Sequence, residues 1–168
     1  MTADQDFKRL DDLFKDKSEI ADKIVRSGPD ICDIMRTTAI MRLEQLVYST
    51  PESWYRRTHN LAQSVMDSGG DIIARPDDST VIVGITASAD YAKYIEFGTG
   101  ANGSNEYDGH ISEGVTFKDK KSWMFKDEWG ETHIAKAQHP RPFMRPALWD
   151  NIDNIKRKLT EMLTEGFL

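Results

Sequence analysis

Asp71-Ile72-Ile73-Ala74-Arg75-Pro76-Asp77-Asp78-Ser79-Thr80-Val81-Ile82-Val83-Gly84-Ile85-Thr86 decides the fold class. Two runs rich in β-branched residues, 71–75 and 80–86, flank Pro76-Asp77-Asp78-Ser79. Proline near the start of such a tetrapeptide and aspartates inside it are turn chemistry. The segment therefore predicts an antiparallel hairpin inside a chain whose two ends read as helix.

Upstream, Phe7, Leu10, Phe14, Ala21 and Ile24 recur at steps of three, four or seven, with Leu13, Ile20 and Val25 widening the stripe. That pattern predicts an amphipathic helix over 7–26 with a solvated charged face. Ser27-Gly28-Pro29 predicts its end, since proline cannot continue the ladder. Asp30 then has the chemistry to cap a second helix over 31–49, with Ile31, Met35, Ala39, Leu43 and Leu46 in one stripe. Apolar residues around most of that circumference predict a central core helix, closed by Thr50-Pro51.

Downstream, Asp90 is expected to cap a short helix, Tyr91 to Phe97, that ends at Gly98. Residues 98–116 hold five glycines among Asn, Ser and Asp, and predict a loop that orders only against a partner. A second hairpin is expected from 121–126 out and 131–136 back, turning at Asp127-Glu128-Trp129-Gly130. Leu148, Ile152, Ile155, Leu159 and Met162 step by four, three, four and three, so a last helix is expected to run from Pro146 to about Gly166. Strands grouped between helices predict an α+β fold: an antiparallel sheet of two hairpins with packed helices, an N-terminal helical arm and a long C-terminal helix. The expected division is an arm and core helix at 1–50 and an α+β domain at 51–168, with 31–50 folding as part of it.

The 168 residues carry 22 Lys+Arg and 28 Asp+Glu, a net charge of −6. Bulk positive charge is thus not available to hold phosphates. The single cysteine, Cys32, excludes an intrachain disulfide and a four-thiolate zinc site, and reads as a small buried hydrophobe. No apolar run is long enough to span a bilayer, and the acidic start, Met1 to Asp6, lacks the layout of a signal peptide.

The chemistry-bearing residues form no catalytic, cofactor or metal motif. Gly98-Thr99-Gly100-Ala101-Asn102-Gly103 lacks the Gly-Lys-Ser/Thr of a phosphate loop. His59, His110, His133 and His139 lack helical zinc spacing. Glu96, between Ile95 and Phe97, is expected to be partly buried and paired with Arg141 or Arg145, as architecture rather than catalysis. Around the second hairpin, Lys118, Lys120, Lys121 and Lys126 interleave with Phe117, Trp123, Phe125 and Trp129. That stretch supports an alternative reading, a nucleic-acid-binding module at 117–129, although aromatics on a hairpin more often pack on protein. A hydrolase using Glu96 and a histidine is the third and weakest reading.

Two stretches carry a family resemblance. Tyr91-Ala92-Lys93-Tyr94-Ile95-Glu96-Phe97-Gly98-Thr99 resembles the pattern YA-x-Y-[VI]-E-F-G-T. Pro140-Arg141-Pro142-Phe143-Met144-Arg145-Pro146-Ala147-Leu148 resembles P-x-P-F-[ML]-R-P-A-L. Both patterns are signatures of the phage minor tail component family, the tail-completion or head–tail joining proteins of long-tailed bacteriophages and prophages, which the chain thus resembles. Trp123 to Gly130 is similar to its W-x-Y-x-D-x-x-G hairpin, with Phe125 in place of Tyr. Arg57 to Val65 is similar to R-T-G-x-L-x-x-S-[IV], with His59 in place of Gly.

The resemblance covers about residues 55–165, in order. It implies a non-enzymatic virion protein made in the host bacterial cytoplasm. It also implies a ring, most often of six copies, between the connector or head-closure protein and the tail tube or tail terminator. DNA would pass through without specific binding, and no membrane or cofactor is expected to be involved. The residues expected at subunit or partner contacts are Tyr91, Tyr94, Glu96, Phe97, Trp123, Phe125, Trp129, Arg141, Phe143 and Arg145.

Overall fold

The computed structural model describes residues 3–51, 58–68, 71–75, 80–126 and 130–164, with side chains over 21–51, 58–68, 81–124, 126 and 130–162. The fold is α+β. Helix α1 (Ala3–Leu43) runs into a π-turn (Glu44–Tyr48), followed by α2 (Asn60–Met66). Strands β1 (Asp71–Arg75) and β2 (Thr80–Gly84) come next, then α3 (Ala92–Phe97) and a 3-10 turn (Gly100–Asn102). Strands β3 (Glu106–Tyr107), β4 (His110–Ile111), β5 (Ser122–Lys126) and β6 (Thr132–Lys136) precede α4 (Met144–Trp149) and α5 (Ile152–Thr164).

The core is built on the C-terminal half of α1. Ile31, Cys32, Met35, Ala39 and Leu43 are buried in one stripe and meet Leu61, Val65, Phe143, Ala147 and Ile155. Burying each of these large apolar side chains stabilises the fold by about 1.5–3 kcal/mol before chain entropy is counted. Around this stripe α1 packs against α2, β1, β2, α4 and α5. The Cys32 thiol is buried and reaches the Gly84 carbonyl at 3.3 Å, which ties α1 to the end of β2.

Three expectations are corrected at the helices. The break at Ser27-Gly28-Pro29 does not occur: α1 passes through with Pro29 inside it. Pro29 is exposed, so its ring points away from the packed stripe and the missing N–H is the local cost. The buried face resumes two residues later at Ile31, and that packing outweighs the proline penalty. Asp30 is accordingly no cap; its carboxylate lies 2.9 Å from Lys158 Nζ on α5. Nor does Asp90 cap α3, whose N-cap is Tyr91 with no side-chain cap bond.

The C-terminal stripe is split as well. Its helix begins at Met144 and stops at Trp149 before α5 takes over. Asn151 bridges the break: its side-chain amide donates to the Ala147 carbonyl at 3.1 Å and to Thr38 Oγ1 at 2.9 Å. The turn changes the helical phase, so Ile155 is buried while Leu148 faces outward.

Both expected hairpins are present, with Ile73 opposite Ile82 in one and Met124 opposite Ile134 in the other. They do not merge into one sheet: the described strands form three separate antiparallel pairs. The third pair, β3–β4, lies in the segment expected to be an unstructured loop. That segment holds structure because it is pinned from outside. Tyr107 Oη donates to Asp150 at 2.9 Å, and the His110 ring stacks on Trp149 at 3.6 Å. Side-chain anchors on a neighbouring helix supply what glycine-rich composition lacks.

His59, which precedes α2, adopts φ +57°. This is the left-handed region that glycine favours. Its ring stacks on Tyr48, with centroids 4.1 Å apart.

Candidate functional site

The two stretches singled out in the sequence, 91–99 and 140–148, are joined along their length. Glu96 leaves α3 facing inward and is only 4% exposed. Its Oε2 accepts from the backbone N–H of Phe143 at 2.7 Å and of Met144 at 2.9 Å. Its Oε1 accepts from the backbone N–H of Arg145 at 3.0 Å and from Arg145 Nε at 2.8 Å. Arg145 Nη2 donates in turn to the Glu96 carbonyl at 2.7 Å. One carboxylate thus satisfies three backbone donors that open α4, groups with no partner inside the helix.

Two further contacts extend the junction. Arg141 gives its backbone N–H to the Ile95 carbonyl at 2.8 Å, so Arg145 rather than Arg141 is the ionic partner of Glu96. Thr99 donates its N–H to the Gln138 carbonyl at 2.9 Å, and its hydroxyl accepts from Gln138 N–H at 3.0 Å. Between them Gly98, at φ +72°, presses on the chain at 138–140. A Cβ there would meet the Gln138 carbonyl oxygen, Pro140 N at 2.8 Å and the His139 carbonyl carbon at 2.9 Å, which leaves room for glycine alone.

Arg145 is 7% exposed, and its guanidinium lies over the Phe97 ring at 4.7 Å and near the Tyr107 ring at 5.7 Å. Tyr107 is held by Asp150, whose other oxygen takes Arg42 Nη2 at 2.7 Å. Burial, then the hydrogen bond and charge of Asp150, push the Tyr107 phenol above its ordinary pKa near 10. This cluster binds structure to structure. Four donors at the start of α4 thus converge on the Glu96 carboxylate.

Beside the junction lies an open groove of about 930 Å³. Tyr94, Phe97, Phe117 and Trp123 give it aromatic walls, and Lys93, Lys118 and Lys120 give it charge. The walls are tied together, Ala101 N–H to the Lys120 carbonyl at 3.0 Å and Asn102 Nδ2 to the Ala137 carbonyl at 3.1 Å.

Of the residues expected at contacts, Tyr91 and Tyr94 are exposed, and Phe97, Trp123 and Arg141 are half-buried. Glu96, Phe143 and Arg145 are buried within the chain: Glu96 takes the α4 backbone N–H groups, Phe143 packs in the apolar core, and Arg145 pairs with Glu96. The side chain of Phe125 and the whole of Trp129 lie outside the described residues. Lys93, Gln138 and Tyr107 were not foreseen. The small turn residues around them, Gly98, Thr99 and Gly100, were the available signal. Among the described residues no group of three or more His, Cys, Asp and Glu is arranged to hold a metal, and no helix is long and apolar enough to cross a membrane.

Comparison of the chain with family models, with curated proteins and with solved structures gives no match.

Proposed function

We propose that the protein is a structural subunit of the phage head–tail junction, a tail-completion protein that assembles as a ring between the connector and the tail tube around the DNA channel. The observation that carries this reading is the joining of its two signature stretches. Tyr-Ile-Glu-Phe-Gly-Thr and Pro-Phe-Met-Arg-Pro owe their spacing to one physical unit: Glu96 on α4, Arg145 on Glu96, Gly98 against 138–140. A second support is His59. The family pattern has glycine there, and φ +57° is what such a position requires.

The surface suits assembly. Each described strand pair leaves outer edges unpaired, and Met124 and Ile134, 74% and 69% exposed, sit opposite one another on β5–β6. Exposed apolar side chains on an uncovered strand pair are an interaction liability for a monomer and a contact for a ring. A cyclic ring uses two different faces of each subunit in head-to-tail contacts. The net charge of −6 is unfavourable for holding phosphates in bulk, which suits a protein that DNA passes.

Deletion of the coding sequence from the phage or prophage genome that carries it tests the proposal. Electron micrographs should then show filled heads and finished tails that fail to join, restored by supplying the chain in trans. Normal, joined particles from the deletion would overturn it.

A further inference from the structure

We infer that the groove between α3, the 114–120 segment and β5 is a docking site for an acidic peptide segment of another protein, one carrying an aromatic or large aliphatic anchor among its carboxylates. The inference goes beyond the ring reading and stands without it.

Charge is the first observation. The described lining has three lysines, Lys93, Lys118 and Lys120, and no carboxylate, in a chain with six more acidic than basic side chains. Asp119, inside the 114–120 segment, and Glu113, beside it, do not line the groove. The local sign is therefore opposite to that of the molecule. Low-dielectric walls concentrate such a field on whatever enters.

Shape and surface chemistry are the second. Tyr94 is 51% exposed, and Phe117 and Trp123 are half-buried in the same wall, so some apolar area stands ready to be covered. Phe117 is fixed against Gly103, where a Cβ would strike its ring. Lys93 Nζ lies 5.1 Å from the Tyr94 ring centroid, which holds that ammonium at the rim. A preformed cavity with aromatic walls and a charged rim takes an anchor side chain inside and carboxylates around it.

An acidic peptide fits better than a nucleic acid strand. Three ammonium groups balance a few carboxylates locally. A polyanion longer than the groove extends over a chain whose net charge is −6, and like charge within a Debye length of about 8 Å at physiological salt works against it.

The test is selection of a random display library of peptides about twelve residues long on the full chain. Enriched sequences are then labelled with fluorescein and titrated by anisotropy against the wild type and K118E/K120E. Both lysines are exposed, so the variant should keep the wild-type circular dichroism and urea midpoint. Enriched peptides should be net acidic with at least one aromatic or large aliphatic residue. Their affinity should fall roughly tenfold or more in K118E/K120E and should weaken with added salt. Labelled oligo-dT of the same length should bind more weakly than these peptides. Absence of enrichment, enrichment without acidic bias, or binding unchanged in K118E/K120E would overturn the inference. Oligo-dT binding as tight as the peptides and lost in the same variant would assign the groove to nucleic acid instead.

Discussion

Glu96→Gln isolates what the junction does. The glutamine keeps the shape and one acceptor oxygen, but its amide replaces the other. If the amide takes the Oε2 place it confronts the N–H groups of Phe143 and Met144; if it takes the Oε1 place it confronts Arg145 N and Nε. In either orientation two donors lose their acceptor, and the buried guanidinium loses its counter-charge. Hydrogen bonds to a charged group are worth about 1.5–3 kcal/mol each, and uncovering one half of a buried ion pair costs about 3–5 kcal/mol. Both routes put E96Q about 3–5 kcal/mol below wild type.

Arg145→Met should cost less, about 1–3 kcal/mol. It leaves three backbone donors on Glu96 and removes a guanidinium whose Nη1 is buried without a partner among the described residues. The double variant E96Q/R145M should regain part of the E96Q loss, because the unpaired buried guanidinium is gone, and the rest of the loss stays with the α4 backbone N–H that still lacks its acceptor. Urea titration followed by far-ultraviolet circular dichroism gives all three values from midpoints at constant m. E96Q within about 1 kcal/mol of wild type, or R145M costing as much as E96Q, would refute the view that Glu96 mainly serves the backbone of α4.

Further outcomes follow from single positions. Pro29→Ala should stabilise the chain by about 1–3 kcal/mol and raise helicity, since α1 runs through Pro29; a neutral result in the same titration would mean the helix ends there after all. His59→Gly should be more stable than His59→Ala by roughly 1 kcal/mol, because φ +57° strains a Cβ; equal midpoints would deny that strain. The pKa of Tyr107 is raised on folding, so its contribution is complete below pH 10 and drains away as pH climbs from there through the folded value. Tyr107→Phe should therefore lose less stability than wild type above about pH 10, read as thermal midpoints across that range. Parallel pH curves for the two chains would remove Tyr107 as the cause.

Legibility in the sequence followed the range of the interaction. β-branched runs flanking turn residues located β1–β2, a turn at 127–130 located β5–β6, and apolar residues at steps of four located the buried stripe Ile31, Met35, Ala39 and Leu43, because those signals are local. Pro29 misled because a local stop signal was overridden by packing at Ile31 and Cys32, contacts that no window around residue 29 contains. The split between α4 and α5 was hidden for a similar reason: Asn151 is committed to Thr38, far away in the chain. At the candidate site, Glu96 was visible as a charge between Ile95 and Phe97 and Arg145 as one of two partners. That the carboxylate chiefly serves three N–H groups of a distant backbone was not visible, since backbone donors carry no letter. The 98–116 segment read as loop because its anchors, Asp150 and Trp149, lie in another element.

Native mass spectrometry of the purified chain, alone and mixed with the tail-tube protein encoded in the same genome, tests the head–tail account most directly. Alone, the chain should appear as a monomer or weak oligomer, since the repeated charge of −6 opposes ring closure. With the tube protein, a complex of tube plus a closed ring of this chain should appear. A chain that stays monomeric beside assembled tube, with no shared complex at any concentration tested, would contradict the account.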